Sequence, residues 1–189
     1  MTIHQKFAAA RTRVNHRLFF ALLPPPEIAA RVGRLRDGLG AAKAGVRDDR
    51  LHITSLIFDD LPFPPPRQLL EAMMEAAGSL KAAPPEIVLD KLISNGRTSC
   101  LVPGKPLPLL NAFHTELFDA LAKRGLPPRR GWRFSPHMTL LYDPQIRRSG
   151  AIAPIRWEAT EFVLIDSLLG QTRHIILDRW PLVHQPRLL

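Results

Sequence analysis

The chain predicts a mixed fold of strands and helices, built from two like halves that face a shared cleft. Short apolar runs with strand character alternate with stretches whose apolar residues recur at helical spacing. The order strand, proline, helix, loop, strand then occurs twice, which is the mark of an internal repeat. In each half the closing strand carries the same pattern, as His52-Ile53-Thr54 and His137-Met138-Thr139. At 189 residues, 46% of them hydrophobic, the chain is long enough for one compact domain or two closely packed lobes.

Taken in order, "RLFFALLPPPEIAARVGRLRDGL" reads as a buried strand from Leu18 to Leu23, a proline stop, and a helix with Ile28, Val32, Leu35 and Leu39 on one face. Asp48 and Asp49 mark a polar loop, and "LHITSLIFD" supplies the strand that follows. A proline-rich turn leads to a second helix, in which Leu69, Leu70, Met73, Met74, Ala77 and Leu80 recur at helical spacing as core residues. "IVLDKLI" and "TSCLV" read as strands joined by a hairpin at Asn95-Gly96. Leu110, Phe113, Leu117 and Leu121 then share a helical face, with Gly125 as the stop. "SPHMTLLYD" is the next strand, and "EFVLIDSLLG" and "RHIILDRW" form a last pair around Gly170-Gln171. Nearly the same interval separates Leu18 from His52 and Leu101 from His137, so the two His-x-Thr patterns occupy equivalent places.

Charge and cysteine content narrow the function classes. Lys and Arg number 26 against 17 Asp and Glu, a formal +9, which favours polyanionic partners such as RNA. Arginines cluster at Arg129, Arg130 and Arg133 and at Arg147 and Arg148, and the guanidinium fork matches phosphate geometry. The longest apolar runs fall well short of the roughly 20 residues that span a bilayer, and no secretory signal pattern opens the chain. A soluble protein without a membrane partner is expected, in the cytoplasm. The lone Cys100 excludes an intramolecular disulfide and fits a reducing compartment.

Alternate side chains of a strand point to opposite faces, so His52 and Thr54 share one face, as do His137 and Thr139, roughly 6 to 7 Å apart along each strand. A single histidine on an apolar strand is most often a satisfied core residue. Two matched pairs in a repeat reverse that reading. Two imidazoles in one cleft supply a base and an acid together near neutral pH. In-line hydrolysis of a phosphodiester needs those two roles on opposite sides of phosphorus, and the threonine hydroxyls can donate hydrogen bonds to the phosphate oxygens. Metal ligation by the two histidines lacks a His-Glu-x-x-His pattern, a cysteine pair or a carboxylate at ligand spacing, so neither metal nor cofactor is expected. No Gly-x-Ser-x-Gly elbow points to a serine nucleophile. Of the other histidines, His114 reads as a surface or boundary residue and His174 as structural, while His4, His16 and His184 carry no signal.

These motifs resemble those of the 2H phosphoesterase superfamily, named for its two His-x-Thr-x motifs, here His52-Ile53-Thr54-Ser55 and His137-Met138-Thr139-Leu140. Within it, "RLFFALLPP", "DDRLHITS" and "FSPHMTLLYD" are most similar to the bacterial and archaeal RNA 2′,3′-cyclic phosphodiesterases, also called 2′-5′ RNA ligases. The resemblance runs from about residue 17 to residue 180. It implies an α+β, bilobal fold, each lobe an antiparallel sheet backed by helices, with the cyclic phosphate in the cleft between. It also implies phosphate contacts from Thr54 and Thr139, no requirement for metal, and His52 as proton donor with His137 as acceptor, although a quasi-symmetric site can run either way. The implied substrate is RNA ending in a 2′,3′-cyclic phosphate, opened to a 2′-monoester, with reversible 2′-5′ joining when a 5′-hydroxyl takes the place of water. A binding module without turnover and a phosphodiesterase for another small cyclic phosphodiester are the alternatives.

The chain departs from the family pattern at two positions. Tyr142, a candidate substrate contact, stands five residues after the second histidine, where many relatives carry arginine, and Ser55, another candidate contact, replaces an apolar residue and reads as edge-exposed. Arg133 and Phe134, just ahead of the second motif, are candidates for cation contact and base stacking, with a core position as the alternative for Phe134. In this reading a basic, flexible segment covers residues 1–16, the phosphoesterase domain 17–180, and a tail 181–189.

Overall fold

The structure is a computed structural model that describes residues 14–40, 45–143 and 145–184. The basic opening segment therefore lies outside the described residues as far as residue 13, and His16 already belongs to the first strand. Among the described residues, eight strands and three α-helices follow one another as β1 (His16–Leu22), α1 (Pro26–Asp37), β2 (Ile53–Ile57), α2 (Arg67–Gly78), β3 (Glu86–Ser94), β4 (Ser99–Val102), α3 (Pro108–Ala122), β5 (Met138–Leu141), β6 (Gly150–Glu158), β7 (Glu161–Leu168) and β8 (Arg173–Pro181). A 3₁₀ turn, Asp48–Arg50, precedes β2.

The strands form one sheet in the order β6-β3-β4-β5-β2-β1-β7-β8, every neighbouring pair antiparallel. The repeat is visible in this order. β1-α1-β2 and β4-α3-β5 are each an antiparallel pair bridged by a helix, and β2 and β5 stand side by side at the middle. Between those two strands there is one register pair, Ile53 with Met138. Two backbone bonds flank it: the Val46 N–H donates to the Leu140 carbonyl at 2.7 Å, and the Arg129 N–H to the Ile57 carbonyl at 2.8 Å. Thus the segment leading to each histidine also pairs with the other half.

Helix ends follow local chemistry. Pro26 and Pro108 sit in the first turns of α1 and α3, where the missing N–H costs nothing and the fixed φ suits a helix start. Arg34 and Arg36 in the last turn of α1 complement the negative end of its dipole. Gly125 ends α3 as its position predicts: at φ 70° it lets the Leu126 N–H close on the Leu121 carbonyl at 3.0 Å.

These helices pack on one face of the sheet. Val32 of α1, Met73 and Ala77 of α2, and Leu110, Phe113, Leu117 and Leu121 of α3 join Leu18, Phe20 and Leu22 of β1 in the main core. Each large side chain buried this way contributes about 1.5 to 3 kcal/mol. Alternation sends the intervening β1 residues, Phe19 and Ala21, to the other face, where they form a small separate cluster with Val163 and Ile165 of β7. That second face carries the histidines.

Three expectations are corrected. Residues 150–158, given no element by sequence pattern, form β6, an edge strand that buries only Ile155 and Trp157; its internal Pro154 is tolerable at an edge and hides it from a pattern search. Ser55 is fully buried, not edge-exposed, because it shares the helix-side face with Ile53. Its Oγ has no hydrogen-bond partner among the described residues. His16, which carried no signal, is part-buried and holds Asp166 across β1 and β7, Nδ1 to Oδ2 at 2.7 Å.

Candidate active site

His52 and His137 each stand one residue ahead of a central strand, and the register fixes what faces them. Continuing the Ile53–Met138 pairing by one residue each way sets His52 against Thr139 and Thr54 against His137. Residues directly opposite in an antiparallel pair point to the same face, so all four side chains share the face away from the buried Ile53 and Met138. Each histidine is thus diagonal to the other, about 7 to 8 Å away with the Cβ atoms somewhat closer. The two threonines complete the other diagonal. That spacing leaves room for one tetrahedral phosphate between the rings.

Both rings are aimed by the same local device. The His52 Nδ1 bonds to the Arg50 carbonyl, and the His137 Nδ1 to the Ser135 carbonyl, each at 2.7 Å and each two residues upstream. A carbonyl can only accept, so Nδ1 carries the proton in both rings and Nε2 is the atom left to exchange one. Burial pushes the His52 ring down to about 4; the Arg50 carbonyl opposes this, while the charges of His137 and Arg50 add to it. His52 is therefore neutral near pH 7, whereas His137 is exposed.

A cavity of about 210 Å³ opens on this face, lined by His52, Thr54, Thr139, Tyr142, Arg50 and His174 among others, with the exposed His137 outside its lining. Tyr142 is 62% exposed at its mouth. Two lining residues had no local sequence signal. Arg50 donates from Nη2 to the Nε2 of His174 at 3.1 Å. The His174 ring lies 5.4 Å from that of His52, nearly perpendicular to it, and both rings pack on Phe19. His174 is thus a cleft residue as well as a structural one, and burial, followed by the charges of His52 and Arg50, lowers it to about 4. Arg17 also lines the cavity, but its guanidinium is held by both carboxylate oxygens of Asp60 at 2.7 Å.

The remaining candidates lie elsewhere. Phe134 packs against the main core and stacks on His114, ring centroids 4.2 Å apart at 12°. His114 is half-buried, donates from Nδ1 to the Ser55 carbonyl at 2.9 Å, and is lowered by burial. Arg133 is exposed, and neither it nor Phe134 lines the cavity. Ser55 faces the helices. Cys100 neighbours Thr139, Sγ to Oγ1 at 3.7 Å. Among the described residues, no group of three or more His, Cys, Asp or Glu side chains comes together as a metal site.

An antiparallel α+β sheet with paired His-x-Thr strands at its centre defines the two-histidine phosphoesterase class. The chain belongs to the 2′-5′ RNA ligase superfamily, whose model matches residues 24–171. It is similar to Escherichia coli LigT, in a crystal structure described as complexed with 3′-AMP, at 26% identity over 90% of this chain and 99% of that one, with a TM-score of 0.72. A structure described as a phosphoesterase is 26% identical over 89% of this chain and 99% of that one, TM-score 0.73. The protein TT0787 of Thermus thermophilus shares the fold at 19% identity over 88% of this chain and 97% of that one, TM-score 0.71. No curated protein matches the chain.

Proposed function

We propose that the protein hydrolyses the 2′,3′-cyclic phosphate end of RNA to a 2′-phosphomonoester, by acid–base catalysis between His52 and His137 and without a metal. The observation that carries this reading is the interlocked register, His52 against Thr139 and Thr54 against His137, on one face of the sheet. The threonine hydroxyls donate to the non-bridging oxygens and hold the phosphate between the rings. His52, neutral in the free cleft, takes the proton of the attacking water at Nε2. The water oxygen bonds to phosphorus, the bond to O3′ breaks, and His137 in its protonated form gives its Nε2 proton to the departing O3′. This reverses the donor and acceptor implied by family resemblance, because burial leaves His52 without a proton to give near neutral pH.

With a 5′-hydroxyl in place of water as the attacking group, the same ring opening joins RNA ends through a 2′-5′ bond, and its reverse cleaves that bond. The excess of arginine and the nucleotide in the LigT structure's description support an RNA end as substrate. A cytoplasmic location is part of this proposal. No helix among the described residues is long and apolar enough to cross a membrane.

The test is to incubate a short RNA ending in a 2′,3′-cyclic phosphate with the protein in EDTA and map the product. A 2′-monoester is expected, with His52→Ala and His137→Ala each lowering kcat at least ~10³-fold. Undiminished turnover in both variants would refute the mechanism. Binding without any product would favour the non-catalytic alternative.

A further inference from the structure

We infer that Arg50, braced by His174, is the cation that grips the substrate phosphate in this chain. The inference rests on the reading of the cleft as a phosphodiester site. It starts from the charges that line the cleft. Position 142, just past the strand that carries the second motif, holds a tyrosine, which offers no cation. Of the two arginines that line the cavity, Arg17 is neutralised by the bidentate Asp60 carboxylate. Arg50 forms no salt bridge among the described residues. Its Nε is buried with no hydrogen-bond partner among them, a costly state for a guanidinium unless the site supplies an acceptor.

The placement of Arg50 suits that role. Its carbonyl aims the His52 ring, and Arg50 lines the same cavity as that ring. Its Nη2 lies 3.1 Å from the His174 Nε2, and its charge acts on the His52 and His174 rings alike. A neighbouring cavity of about 390 Å³ shares Val46, Arg50, Tyr142, Ser167 and Leu169 with the first, and Arg50 is the one charged residue in its lining among the described residues. A phosphate held at Arg50 thus has room for its nucleoside next to it, over the exposed Tyr142 ring.

His174 acts as a positioning residue. A guanidinium can only donate, so the 3.1 Å contact makes the His174 Nε2 an acceptor and its ring neutral. The His174 ring is itself fixed edge-on against Phe19. One Arg50 nitrogen is thereby tethered to a rigid ring, and the rest of the fork is left for an anion, where charge-assisted hydrogen bonds are strongest.

Titration calorimetry with adenosine 2′-monophosphate tests the inference on the full chain, with melting temperatures confirming that each variant is folded. Arg50→Ala is expected to weaken binding about tenfold or more, and Arg50→Lys, which keeps charge without the fork, by a smaller factor. His174→Gln keeps an acceptor for Arg50 and should bind within about threefold of the wild type. His174→Phe keeps the packing ring but loses the acceptor and should bind about tenfold more weakly. A purely structural His174 would give the opposite order, Phe tolerated and Gln not, and would overturn the tether. Unchanged affinity in Arg50→Ala, or no binding of the probe by the wild type, would overturn the inference. Cyclic-phosphate hydrolysis measured in parallel separates the two claims. Binding that depends on Arg50 without any hydrolysis upholds the inference and removes the proposed reaction, whereas hydrolysis with the KM and affinity of Arg50→Ala unchanged does the reverse.

Discussion

The imidazoles of His52 and His137 are held by identical hydrogen bonds, Nδ1 to the carbonyl two residues upstream at 2.7 Å, yet only His52 is partly enclosed by the sheet. Equal aim with unequal burial makes two similar motifs chemically different.

That difference sets a pH dependence. kcat/KM reports the free protein, in which His52 titrates at about 4. If His52 is the base, the acid limb of the kcat/KM profile for a cyclic-phosphate RNA falls only as pH approaches about 4. Initial rates at low substrate, from mildly alkaline pH down to that value, give the answer. Activity already lost on the acid side well above that pH would overturn the low titration of His52 on which its role as base rests.

Stability should follow pH through the same groups. In the unfolded chain a histidine titrates near 6.5, whereas folded His52 and His174 titrate at about 4. Between those values the unfolded state binds more protons, so stability rises with pH. The contribution is fully present above about pH 6.5 and is lost as pH falls through about 4. For His52 the change is roughly 3 kcal/mol, and it is smaller for the more open His174. Thermal melts at about pH 7 and about pH 4.5 should therefore differ, and by less in His174→Phe.

Thr54 and Thr139 test the phosphate contacts. Thr54→Val and Thr139→Val keep shape and strand preference while deleting the donor. Each should lower kcat/KM about 10- to 100-fold with melting temperature nearly unchanged. Rates equal to the wild type would remove these hydroxyls from the site.

Phe134 should behave as a packing residue. Stacked on His114 and set against the core, Phe134→Ala is expected to cost about 2 to 3 kcal/mol in denaturant unfolding. Affinity for adenosine 2′-monophosphate should change less than about twofold. A large loss of affinity at intact stability would return Phe134 to base stacking.

Gly33 offers a remote test of how the first histidine is placed. A methyl group there would lie 2.6 Å from Oδ1 of Asp48, an oxygen that accepts from Arg36 and fixes the turn before Arg50 and His52. Gly33→Ala should therefore lower kcat/KM about tenfold, beyond its effect on the melting temperature. Wild-type activity in this variant would show that the turn is held by other contacts.

Both motif pairs were legible because strand alternation is a local signal: a polar side chain every second residue in an apolar run shows in the sequence itself. Parity would also have buried Ser55, since it alternates in phase with Ile53. Arg50 and His174 could not be read this way. Arg50 sits in a charged loop where an arginine looks like any solvated one. His174 comes from β8, three places from β2 in the sheet order, and only the folded sheet brings the two rings together. Likewise His16 draws its partner, Asp166, from far along the chain, beyond the reach of local pattern.

The join between β2 and β5, one Cα register pair with a backbone bond on either flank, is the narrowest stitching within the sheet's middle, and the proposed reaction straddles it. Proton donor and proton acceptor thus belong to opposite banks of a seam. Anything that prises those banks apart disables both partners at once, and a bound phosphate, gripped from both sides, would act as a rivet.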